Sequence, residues 1–144
     1  MFGTDRNALR RYYCEAWRKA RAGEALETLE ADIVAVLREH PEYHALVADP
    51  ERALDAEYTP EMGATNPFLH LGMHLGLQEQ VRTNRPAGIL DVYAALCRRF
   101  GEAHAAEHAM MEVLGEALWE AQRSGREPDE ARYLARLRRL AHGA

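Results

Sequence analysis

Residues Pro67 to Leu77 read Pro-Phe-Leu-His-Leu-Gly-Met-His-Leu-Gly-Leu, and no other stretch restricts the fold as tightly. Asn66 and Pro67 open it with an N-cap and a proline at the first helical position. Apolar residues or glycine then occupy every side of the predicted helix, the pattern of a buried helix. Its only polar side chains are His70 and His74. Positions i and i+4 share one face, with Cβ atoms about 6 Å apart. Two uncompensated buried imidazoles would cost about 2 kcal/mol or more each. A metal ion is the commonest partner for such a pair. Core histidines bonded to carbonyls or to each other are the alternative.

The chain has 144 residues, which suits one domain, residues 1–144, with one core. Its 47% hydrophobic and 28% charged residues are those of an ordinary globular protein. A formal charge of −5 and a pI near 5.8 argue against nucleic acid as the main partner. The first residues, Met1 to Arg6, contain no apolar core of a signal peptide. No run approaches the length of a membrane span, so a cytoplasmic protein without a membrane partner is expected. Cys14 and Cys97 belong to no Cys-x-x-Cys motif and are expected to be buried thiols in a reducing compartment.

Periodicity predicts an all-α, single-domain bundle of five to six helices. The first runs from a cap at Thr4 or Asp5 to Ala22, closed by Gly23. Leu9, Tyr12, Tyr13, Ala16, Trp17 and Ala20 form its inner face, with Arg10, Arg11, Arg18 and Lys19 in solvent. A second helix spans about Glu24 to Glu39 and stops before Pro41. Its apolar stripe is Leu26, Leu29, Ile33, Val36 and Leu37, with Glu30 inside it. His40 continues the stripe, and His44 follows the break. A long irregular connection is predicted near residues 48–65, with a short helix around Glu51 to Ala56. After the buried helix come helices at about Pro86 to Phe100, Glu102 to Arg123 and Asp129 to Ala141.

The helix starting at Glu102 carries a second histidine pair. His104, His108 and Glu112 follow i, i+4, i+8 and drift only about 80° around the axis. Two helices therefore each bring a His-x-x-x-His pair from an apolar setting. Imidazole with carboxylate suits iron, manganese or zinc, and thiolate ligands are missing. Helix bundles build such sites from inward side chains on facing helices. The candidate ligands are His70, His74, His104, His108 and Glu112. Glu30 can add a bridging or terminal carboxylate, and His40 and His44 can join or serve the local turn. Glu79 and Glu107 are expected at the surface or orienting an imidazole. Met73, Met110 and Met111 are expected to pack the core, and His142 belongs to the tail. His-Glu-x-x-His is absent, which argues against a zincin-type protease.

At His-Pro-Glu-Tyr-His (40–44), Asn-Pro-Phe-Leu-His-Leu-Gly-Met-His (66–74) and Glu-His-Ala-Met-Met-Glu (107–112) the chain resembles a small bacterial family of unknown function. The resemblance extends to Trp17-Arg18 and to Trp119 through Arg123. More distantly it is similar to hemerythrin-like bundles, which hold two irons through His-x-x-x-His, His-x-x-x-Glu and His-x-x-x-x-Asp pairs. His104 with His108 matches the first spacing, His108 with Glu112 the second, and His74 with Glu79 the third, with Glu in place of Asp. It is also similar to DinB-type bundles, which place three histidines around one zinc or nickel. The expected function is metal binding at a His/Glu site, with two irons, in oxygen or peroxide handling or metal sensing. The alternatives are a mononuclear zinc or nickel histidine site, of a hydrolase or transferase or purely structural, and a metal-free interaction protein. Whether the chain is an enzyme, and whether it forms a homodimer, stays open at this point.

Overall fold

The computed structural model describes residues 2–58 and 66–143, with side chains from Arg6 onward. Every regular element among the described residues is helical: α1 (Phe2–Ala22), α2 (Thr28–Arg38), a 3-10 turn (Pro41–Tyr43), α3 (His44–Val47), α4 (Pro50–Asp55), α5 (Pro67–Thr83), α6 (Ile89–Phe100), α7 (Ala103–Ser124) and α8 (Glu130–Ala141). The all-α class is as expected. Among the described residues eight α-helices stand where five to six were expected. The surplus lies where Pro41 and Pro50 cut the chain into short pieces, since proline cannot continue a preceding helix. The connection predicted as irregular at 48–65 is helical over Pro50–Asp55, close to the short helix expected there. Asp49 caps that helix through its carboxylate, and positions 59–65 lie outside the described residues. At the N-terminus α1 begins at Phe2, so Thr4 and Asp5 lie within the helix rather than capping it.

The contacts divide the chain into two compact units, Met1–Leu75 and Gly76–Ala144, with the boundary inside α5. In the first, Tyr13, Ala16 and Trp17 of α1 join Ile33, Val34, Val36 and Leu37 of α2, with Leu46, Val47, Ala53, Phe68 and Leu71. Tyr13 and Phe68 stack in parallel with centroids 6.0 Å apart.

Three placements expected for this unit fail: Leu9 and Leu29 are half-exposed and Arg10 is buried, while Glu30 is buried within its stripe. Arg10 does not face solvent. Its guanidinium donates to the carbonyls of Ala53 at 2.8 Å and Ala56 at 2.7 Å, and lies over the Phe68 ring. The last carbonyls of α4 have no helical partner, and a cation that satisfies them is favoured at a helix C-terminus.

In the second unit the buried apolar residues are Leu77 of α5, Ile89, Val92 and Leu96 of α6, Met110, Met111 and Leu114 of α7, and Tyr133, Leu134 and Leu137 of α8. The Tyr133 hydroxyl donates to Gln80 Oε1 at 2.7 Å, and burial holds its pKa well above the ordinary phenol. Helix α6 starts at Ile89 rather than Pro86. Asn84 Oδ1 accepts from the amides of Gly88 and Leu90, and Gly88 takes φ +102°, a conformation that favours glycine. Cys14 is buried and Cys97 partly so; both are free thiols.

Candidate metal centre

The first unit assembles three histidines. His40 is the residue after α2 and its C-cap, held at the break that Pro41 enforces. Its Nδ1 lies 2.8 Å from the carbonyl of Val36. A carbonyl only accepts, so Nδ1 carries the proton and neutral His40 presents a lone pair at Nε2. Tyr43 stacks on the ring at 5.3 Å, nearly parallel, and holds its plane. His40 is 2% exposed and His74 1%.

The Nε2 atom of His70 lies 3.1 Å from that of His40 and 3.2 Å from that of His74. The three rings form a triangle with every centroid pair at 4.9 Å. Hydrogen bonding cannot satisfy both nitrogen contacts fully. An imidazole nitrogen is either a donor or an acceptor. His40 Nε2 is an acceptor. If His70 Nε2 donates to it, the same atom has no lone pair for His74, and one proton must be shared. A divalent cation uses all three lone pairs at once. Nitrogens bound about 2.0–2.1 Å from one tetrahedral ion stand about 3.3 Å apart, close to the spacings seen. The spacing of these three histidines is therefore one that a metal ion could fill.

His44, expected to join the site or serve the local turn, is engaged locally. Its Nε2 donates to the carbonyl of Leu37 at 2.6 Å, and its ring packs on Trp17 at 4.3 Å. Glu30 likewise serves the helix. Its Oε1 accepts from the Glu27 amide at 2.9 Å and from Lys19 Nζ at 3.1 Å, completing a capping box. The Glu27 amide first, and then the Lys19 ammonium, hold its carboxyl below the usual range. Position N3 of α2 turns this side chain back toward the helix start, which explains a carboxylate in an apolar stripe.

In the second unit, His104 and His108 stand side by side on α7 with ring centroids 4.2 Å apart. His104 is half-buried and His108 exposed. Glu112, expected as the next ligand, is exposed. The drift of the i, i+4, i+8 series carries it from the inner face, which continues instead through Glu107, Met110, Met111, Leu114 and Ala117. Glu79 is exposed as well and pairs with Arg82 at 3.7 Å.

Glu107, expected at the surface or orienting an imidazole, lies inside. It is 7% exposed and accepts from Gln78 Nε2 at 3.2 Å. It shares the wall of a cavity of about 230 Å³ with Leu77, Val81 and Tyr93. The signal was present: positions 107, 110, 111 and 114 carry the i, i+3, i+4, i+7 spacing of a core face.

These features define an all-helical protein with buried imidazoles disposed to take a metal. The chain belongs to a family described as a domain of unknown function, DUF1841, whose pattern matches residues 5–139. No curated protein and no solved structure matches it.

Proposed function

We propose that this protein is a metal-binding protein in which His40, His70 and His74 of the first unit are ligands of one ion. The observation that carries the reading is the His40–His70–His74 triangle, whose nitrogen contacts call for a cation. The ligand set is all imidazole, which suits zinc, nickel, copper or iron.

A two-iron site of the hemerythrin type has less support. It needs bridging or terminal carboxylates, and Glu112 is exposed while Glu30 is bound to Lys19 and its own helix start. A metal held by imidazoles with an open position lowers the pKa of bound water and polarises carbonyls; one saturated by four imidazoles is structural.

Glu107 favours hydrolysis as a second reading. It stands in the order His104-x-x-Glu107-His108, met in one class of zinc peptidases, and it is buried.

Elemental analysis of tag-free protein purified without chelator tests the main reading. About one transition-metal ion per chain is expected. Two irons per chain would restore the di-iron site. No metal, and none taken up on reconstitution, would overturn the reading. If the ion is present, replacing Glu107 with Gln should leave the metal content intact; loss of the ion would make Glu107 a ligand and remove the hydrolytic reading.

A further inference from the structure

The first unit carries a surface groove that the metal reading does not use. It has a volume of about 990 Å³, and apolar side chains from Tyr12, Cys14, Trp17, Val47 and Pro50 line it. The α1 positions in its wall run from Ala8 to Ala22, a length of about 21 Å. That is three to four turns of a helix, and an open groove of this kind takes the apolar side of another helix.

Its rim is net basic: Arg11, Arg18 and Arg21 line it, with Glu15 the one carboxylate among them. Arg18 is engaged by Glu15 and Glu24, whereas Arg11 and Arg21 form no ion pair among the described residues. In the wall, the buried Trp17 indole N–H meets no acceptor among the described residues.

The complement lies on α7 of the same chain. Trp119 is 58% exposed and Leu118 45%, large apolar groups on a surface that otherwise reads as charged. Glu112 and Glu116 fall within about 60° of Trp119 on the helix wheel, one and two turns ahead of it. Both are exposed. Glu116 reaches Arg136 at 3.3 Å, and Arg123 lies over the Trp119 ring; Glu112 has no such partner among the described residues.

We infer that the groove along α1 is the docking site for α7 of a second copy of this chain, with Trp119 seated on its apolar walls and Glu112 and Glu116 against Arg11 and Arg21. Each copy offers both surfaces, so α7 of one copy can meet the groove of another. An aromatic anchor in an apolar groove, ringed by opposite charges, is the usual core of such an interface.

Sedimentation of the full chain tests this independently of metal content. The wild type is expected to sediment as a dimer. Trp119→Asp, and separately Arg11→Glu with Arg21→Glu, should each sediment as a monomer with unchanged helical circular dichroism. Mixing the two variants should recover dimers, because each retains the surface the other lacks. A monomeric wild type, a dimer that both variants leave intact, or a mixture that stays monomeric would overturn the inference. If either variant fails to fold, Trp119→Gln and Arg11→Gln with Arg21→Gln replace them, with the same expectations. These substitutions touch no histidine, so a dimer that dissociates while keeping its metal separates this inference from the metal reading.

Discussion

The Nε2 atoms of His40 and His70 lie 3.1 Å apart while Nδ1 of His40 is held by the Val36 carbonyl. One side of the ring is thereby committed to the end of α2, and the other is offered to the histidines of α5. This is the arrangement by which proteins fix the tautomer of a metal-binding imidazole.

Replacing His74 with Gln should remove one ligand. We expect metal affinity to fall by more than about 100-fold, beyond the 10–100-fold that loss of an orienting partner costs. Competition with a chromophoric chelator measures it. An unchanged affinity would remove His74 from the site.

His44 makes the matching control. His44→Gln loses the bond to Leu37 and the packing on Trp17, so stability should fall by about 1–2 kcal/mol. Metal content should stay at the wild-type level. Urea denaturation and elemental analysis on the same sample read both effects, and loss of metal would return His44 to the ligand set.

Glu30 sets a pH dependence. Its folded-state pKa lies below the ordinary value because the Glu27 amide and Lys19 favour the carboxylate. Its contribution is therefore fully present above the unfolded carboxylate value of about 4.3. It is lost as pH falls through the lower folded value. The melting temperature of Glu30→Gln should consequently fall less steeply than that of wild type between neutral and acid pH, with metal content unchanged. Parallel pH profiles would show that the capping box contributes nothing through charge.

Arg10→Leu should cost about 2–4 kcal/mol. It leaves the Ala53 and Ala56 carbonyls without their guanidinium donor, and each buried orphan costs about 1–3 kcal/mol. A lowered urea midpoint at unchanged slope is the expected result. An unchanged midpoint would mean that water replaces the guanidinium.

Local chemistry made much of this protein legible in the sequence. The all-round apolar run with Asn66 and Pro67 ahead of it specifies α5, and the spacing of His70 and His74 puts both on one face, because 3.6 residues per turn is a property of the backbone alone. The same rule placed His104 beside His108. The tertiary structure decided which charged groups go inside. Arg10, Glu30 and Glu107 are buried because partners distant in sequence or around a helix start meet them: the end of α4, Lys19 with the Glu27 amide, and Gln78. It also decided between His40 and His44, which lie on either side of the same proline. A hydrogen bond from His40 to Val36 turns one imidazole toward α5, and a bond from His44 to Leu37 occupies the other. Periodicity records which face a residue is on. Which partner waits there depends on contacts across the fold.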